Sequence, residues 1–203
     1  MQLRQHSDLQ IESITIANGA LTLVHPVLEE ADAASVLEEL SQHLDWRQDS
    51  LRIQGRTIPI PRLQAWYGEP HCHYAYSGLR LSPTPFPPVL QQLRHIASEL
   101  ASAEFNCALC NLYRNGQDSV SWHADDEPEL GPAPIIASFS FGATRTFQIK
   151  PKRGGQTLAI ELLHNSLLIM SGDMQRHWRH QLPKTKAPVG PRVNLTYRYI
   201  PAA

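Results

Sequence analysis

Phe105-Asn-Cys-Ala-Leu-Cys-Asn-Leu-Tyr113 is where the chain changes its period. From here the apolar residues come in short runs, at 105–113, 118–123, 135–141, 145–150, 156–163, 166–171 and 192–200, broken by Gly, Pro and Asn. Many short strands with such punctuation read as a β-sandwich or jelly roll. The quoted run also holds Cys107 and Cys110, a spacing that elsewhere makes half a zinc site or a redox pair. In a strand, residues i and i+3 point to opposite faces, so these thiols diverge. No second C-x-x-C exists in the chain. Both are read as core cysteines, since free cysteine is among the most buried residue types.

Before that run the spacing is mainly helical. Leu28, Ala31, Ala34, Val36, Leu37, Leu40 and Leu44 predict an amphipathic helix over 28–45. A second helix begins at Pro87 and Pro88, where a first-turn proline loses no helical hydrogen bond, and runs through Leu90, Leu93, Ile96 and Leu100. Alternation in residues 1–25 predicts one or two strands, and 51–60 read as a hairpin turning near Gln54-Gly55. The expected fold class is α+β, in a single domain over 1–203. A helical and hairpin lobe over 1–104 would place its helices on one sheet of a jelly-roll core over 105–203.

With 203 residues and 42% apolar content, the chain is long enough for one well-cored domain. A net charge of −1 gives no bulk reason to bind nucleic acid, so such binding needs a local patch. Three cysteines are no disulfide framework and fit a reducing compartment. No stretch approaches the roughly 18 apolar residues of a membrane span, and the N-terminus lacks a signal-peptide pattern. A soluble, cytoplasmic monomer with no membrane partner is expected.

The chemistry concentrates in Trp122-His123-Ala124-Asp125-Asp126-Glu127. His123 and Asp125, two apart at a strand end, can face one point. His180 is the preferred third ligand, with His177 three residues away as the alternative. Two imidazoles and one carboxylate can fill one face of an octahedral metal and leave three positions open, as in non-haem Fe(II) oxygenases. The competing reading is a solvated acidic loop with an incidental histidine. Arg192-Val-Asn194-Leu-Thr-Tyr-Arg198 adds a second signal. Its strict alternation puts Arg192, Asn194, Thr196 and Arg198 on one face. Guanidinium forks match carboxylates bidentately, so this face suits a dicarboxylate co-substrate. The competing reading is an edge strand with a solvated polar face.

Taken together, these residues resemble the AlkB family of Fe(II)- and 2-oxoglutarate-dependent dioxygenases. The resemblance rests on Cys110-Asn-Leu-Tyr-Arg-Asn-Gly-Gln-Asp-Ser-Val-Ser-Trp122 and the loop after it, on Pro134-Ile-Ile-Ala-Ser-Phe-Ser-Phe-Gly-Ala-Thr-Arg-Thr-Phe147, on Trp178-Arg-His180 and on Pro191-Arg-Val-Asn-Leu-Thr-Tyr-Arg198. It covers roughly residues 60–200 and implies a double-stranded β-helix core. It implies Fe(II) ligands at His123, Asp125 and His180, selecting His180 over His177. It implies 2-oxoglutarate contacts from Asn111, Tyr113, Arg192, Asn194 and Arg198, with O2 as the other co-substrate. Tyr74, Tyr76, Asp126 and Glu127 would meet a methylated base.

The implied activity is oxidative removal of N-methyl groups, as in 1-methyladenine and 3-methylcytosine, with release of formaldehyde. The partner is alkylated DNA, with RNA as the alternative. Members that act on duplexes insert an apolar finger, and a wedge needs an apolar side chain to fill the gap left by the base. The corresponding hairpin here, Ile53-Gln54-Gly55, is polar at its tip, which predicts a preference for single strands. Arg62, Lys150, Lys152, Arg153, Arg179 and Lys184 are the cations expected to grip the phosphate backbone.

Overall fold

The computed structural model describes residues 8–53, 55–76 and 79–202, the side chains of 53 and 74–80 excepted. The chain opens with strands β1 (Gln10–Ile16) and β2 (Gly19–His25), then helix α1 (Glu30–His43). Strands β3 (Ser50–Ile53), β4 (Arg56–Pro59), β5 (Leu63–Gly68), β6 (Tyr74–Tyr76) and β7 (Leu79–Leu81) lead to helix α2 (Pro88–Ala101). Next come β8 (Cys107–Tyr113), β9 (Val120–His123), β10 (Ile136–Gly142), β11 (Arg145–Pro151), β12 (Leu158–Leu162) and β13 (Ser166–Ser171). The one-turn helix α3 (Met174–His177) precedes β14 (Trp178–Leu182) and β15 (Arg192–Arg198). None of the described helices is long and apolar enough to cross a membrane.

Two antiparallel sheets form the sandwich. The larger has the order β1-β2-β13-β10-β15-β8-β5, the smaller β12-β11-β14-β9. Hairpins β3–β4 and β6–β7 stand apart from both. Three strands of the larger sheet, β1, β2 and β5, precede residue 105, so the jelly roll is not built from 105–203 alone. Asn18 takes the left-handed conformation (φ 59°) that the two-residue β1–β2 turn requires, and asparagine tolerates it better than most residues.

The helices cover the outer face of the larger sheet. Helix α2 starts at Pro88 and buries Val89, Leu90, Leu93, Ile96 and Ala97, an apolar stripe at helical spacing. These side chains pack with Leu40 of α1 and with Phe139, Leu195 and Tyr197 of the sheet. The Tyr197 hydroxyl donates to the Leu90 carbonyl at 2.8 Å, which satisfies a polar group that burial would otherwise penalise. A second core between the sheets holds Ile136, Phe147, Ile149, Leu162, Leu168 and Trp178. On β10 that same inward face continues from Ile136 to Ser138 and Ser140. The interior therefore changes from apolar to polar along the strands. Cys107 and Cys110 are both buried and belong to different clusters, as opposite faces of β8 require.

Asn165 fastens the approach to α1 onto the sheet. Its side chain accepts from Leu28 N–H at 2.9 Å and donates to the Leu28 carbonyl at 2.7 Å. Its own carbonyl accepts from Val27 N–H at 3.0 Å, and its φ is 60°. Asn165→Ala removes the partner of two buried backbone groups and leaves a Cβ-bearing residue in the left-handed region. The expected loss is about 2–4 kcal/mol in urea unfolding at unchanged m value. A loss below about 0.5 kcal/mol, the ordinary range for a surface substitution, would show that this staple contributes nothing.

Candidate active site

Register decides which side chains meet. Strand β15 lies between β10 and β8, and all its residues are buried, which rules out a solvated edge strand. Val193, Leu195 and Tyr197 pack under the helices. Arg192, Asn194, Thr196 and Arg198 face a cavity of about 530 Å³ between the sheets. Across the cavity, β14 pairs with β9 so that His180 stands opposite His123, their ring centroids 4.2 Å apart. Asp125 follows in the loop after β9. His123 Nε2 is 3.9 Å from Asp125 Oδ1, and His180 Nε2 is 4.0 Å from Asp125 Oδ2.

Among the described residues, the ligand atoms of His123, Asp125 and His180 form the group that could hold a metal ion, all within 4.8 Å of one another. His177 is not in it. It ends α3, and its carbonyl accepts from Lys152 N–H. His123 Nδ1 lies 2.8 Å from the Ser121 carbonyl, which can only accept, so the ring proton sits there and Nε2 is left free for a cation. The His123 side chain is 37% exposed against 4% for Asp125, so the cluster opens on the His123 side.

Charge is arranged around Asp125. Burial works against its carboxylate, but Arg198, His180 and His123 outweigh burial and hold it down to about 2. Arg198 Nη2 sits 3.0 Å from Asp125 Oδ2. Burial, reinforced by His123, depresses His180 to about 3, so its imidazole is neutral at physiological pH, the state in which histidine ligates metals.

At the other end of β15, burial lowers Arg192 only to about 10, and it stays cationic. Arg192 Nη2 donates to Ser140 Oγ at 2.8 Å, its guanidinium carbon lies 5.2 Å from the Tyr113 ring centroid, and its Nε has no partner among the described residues. Among the described residues, no carboxylate pairs with it. A buried guanidinium without a counter-ion is an anion receptor.

The family model of the 2OG-Fe(II) oxygenase superfamily matches residues 20–198. The DNA oxidative demethylase ALKBH2 of Homo sapiens is 40% identical over 182 residues, covering 84% of this chain and 70% of that protein. This chain belongs to the AlkB family of 2OG-Fe(II) oxygenases. The alpha-ketoglutarate-dependent dioxygenase alkB homolog 3 of Homo sapiens is 45% identical over 183 residues, 85% of this chain. The chain spans 63% of that relative's length. The solved structure of OsALKBH1 superposes with a TM-score of 0.65 at 15% identity, covering 92% of this chain and 99% of its own, and shows the shared fold.

The donor set fits the family's metal, and the unpaired Arg192 fits a carboxylate of its co-substrate. Other parts of this AlkB-family site differ from expectation. Arg62 is buried in the cavity wall and does not face outward toward phosphate. Its Nε donates to Asn111 Oδ1 at 2.8 Å and its Nη1 to the Ser119 carbonyl at 3.2 Å. Gln64 Nε2 reaches the same Asn111 oxygen at 3.2 Å. With Oδ1 so occupied, the Asn111 amide nitrogen is left as the group free to meet a ligand. Asn194 lines the cavity, but its nitrogen already donates to Ser138 Oγ and the Phe139 carbonyl, and its oxygen accepts from Thr196.

Glu127 lines the cavity, whereas Asp126 is exposed and paired with Lys152 at 2.7 Å. Lys150 covers the Trp122 ring, 4.1 Å from its centroid, while Arg153, Arg179 and Lys184 are exposed. Tyr74 and Tyr76 lie on β6, and their side chains, like Gln54, lie outside the described residues. Leu51 and Ile58, paired across the β3–β4 hairpin, both line the cavity mouth. Arg145 escaped the sequence reading. It is buried, donates to the carbonyls of Asn115, Asp118 and Pro183, and lies 5.9 Å from the Tyr113 ring centroid. Its signal was a charge on the face of β11 shared with Phe147 and Ile149.

Proposed function

We propose that this chain is an Fe(II)- and 2-oxoglutarate-dependent oxidative demethylase of N-alkylated bases in DNA, with a preference for single strands. One observation carries the reading. A two-histidine, one-carboxylate cluster and a buried guanidinium with no acid partner among the described residues share a single cavity. In this reading His123, Asp125 and His180 hold the metal, and Arg192, Arg198, Asn111 and Tyr113 hold the dicarboxylate. Bound Fe(II), with 2-oxoglutarate and O2, supplies the oxidant that hydroxylates the methyl C–H bond. The resulting N-hydroxymethyl group breaks down to formaldehyde and the repaired base.

The protein contributes orientation and exclusion of water. Arg198 keeps Asp125 ionised and directed, and the polar inner face of β10 and β15 seats the co-substrate. Glu127 on the cavity wall suits 1-methyladenine and 3-methylcytosine, which are cationic. DNA as the substrate is supported by relatives named DNA oxidative demethylase. A damaged, poorly paired base is also cheaper to flip from a strand. The single-strand preference is supported by the polar Gln54 at the hairpin tip, where a wedge into a duplex would need an apolar side chain.

The test is release of formaldehyde and succinate with Fe(II), 2-oxoglutarate and ascorbate on matched single- and double-stranded oligonucleotides carrying one 1-methyladenine or 3-methylcytosine. Faster release from single strands is expected. Equal or faster release from duplexes would overturn the strand preference, and turnover confined to methylated RNA would overturn the DNA assignment. Arg62→Ala should raise the KM for 2-oxoglutarate about tenfold with little change in kcat, because one charge-assisted hydrogen bond orienting Asn111 is worth roughly 1.5 kcal/mol. An unchanged KM would show that Asn111 needs no such support.

A further inference from the structure

The amide of Gln175 holds the backbone of Asp125, and from this contact we infer that Gln175 is a positioning residue for the metal centre. Its Oε1 accepts from Asp125 N–H at 3.0 Å, across a sequence separation of 50. Both residues are buried. Asp125 lies past the end of β9, in a segment without regular structure, so no sheet ladder fixes it. Arg198 grips its carboxylate and Gln175 its main chain, and together they determine where the ligand oxygens point.

Gln175 is itself well seated. It belongs to α3, the turn that joins β13 to β14 and so leads to His180. Its Nε2 donates weakly to Met170 Sδ at 3.7 Å. The neighbouring Met174 packs on the β1–β2 hairpin so closely that a Cβ on Gly19 would lie 3.0 Å from Met174 Cβ and 3.1 Å from its Cα. Just beyond, Trp178 Nε1 donates to the Ala17 carbonyl at 2.8 Å. The N-terminal hairpin thereby anchors α3 at both ends, and α3 carries Gln175 to the metal loop.

This inference rests on the assignment of Asp125 as a metal ligand. The experiment is titration of the full chain with Mn(II), followed by electron paramagnetic resonance, for the parent and three variants. Gln175→Leu and Gln175→Asn, the first lacking the acceptor and the second too short to reach, should weaken Mn(II) binding about 10- to 100-fold. Gln175→Glu keeps an acceptor at the right length and should stay within several-fold of the parent. A purely structural role would lower the melting temperature without this ordering of affinities. Parent-like Mn(II) affinity in Gln175→Asn would overturn the inference alone. Failure of the parent to bind Mn(II) would overturn the metal assignment and the inference with it.

Discussion

Asp125→Asn is expected to lower turnover by more than about a hundredfold, beyond the 10- to 100-fold that loss of an outer-shell partner costs a metal site. The change removes the one carboxylate among the three proposed ligands. Asn is the informative replacement. Asp125 and Arg198 are both almost fully buried and lie 3.0 Å apart. Asp125→Ala would remove the carboxylate from beside a buried guanidinium, a loss of about 3–5 kcal/mol, so its inactivity would mix two causes. Asn keeps the shape and an oxygen for Arg198.

The sign of the pH effect follows from the same pair. The folded carboxyl is held at about 2, below its ordinary 3.8, so its stabilisation is complete above pH 4 and disappears as pH falls through 2. The activity comparison at neutral pH is therefore free of this titration. Formaldehyde release alongside urea unfolding is the measurement, and Asp125→Asn activity within tenfold of the parent would sink the ligand assignment.

Arg192→Met has the second-largest expected effect, and it should move affinity and stability in opposite directions. A bidentate guanidinium–carboxylate contact comprises two charge-assisted hydrogen bonds, together worth about 3 kcal/mol or more. The KM for 2-oxoglutarate should rise about a hundredfold or more. Without co-substrate, the parent carries a buried cation with no acid partner among the described residues. Replacing it with an apolar side chain of similar length should leave the melting temperature unchanged or raise it. A fall in stability with unchanged KM would show that Arg192 is structural and that the co-substrate is held elsewhere.

The sequence made the carriers of chemistry legible where a residue type broke the pattern of its strand. Arg192 and Arg198 stood out because β15 alternates without a fault. His123 and Asp125 stood out as a ligand pair at a strand end. The helices were legible within a few residues, 28–45 against Glu30–His43, because their apolar stripes are regular. Other elements were hidden for physical reasons. Strand β5 is buried at five of its six positions and shows no alternation to read. In β14, a histidine occupies the inward face between Trp178 and Leu182, so its period is masked. Gln175 sits in a single helical turn, where neither strand nor helix periodicity has room to appear. Arg62 looked like an outward cation because sequence records its charge, while its direction depends on the pairing of β5 with β8.

Strand β15 has one further consequence. Its two faces serve different masters: Val193, Leu195 and Tyr197 meet the helices, and Arg192, Asn194, Thr196 and Arg198 meet the cavity. A slip of one residue would exchange them, driving guanidinium groups into the helix layer and aliphatic groups into the co-substrate seat. No intermediate pairing preserves both. The population that is natively folded and the population that can turn over are then one and the same, and heat inactivation should follow a single cooperative transition.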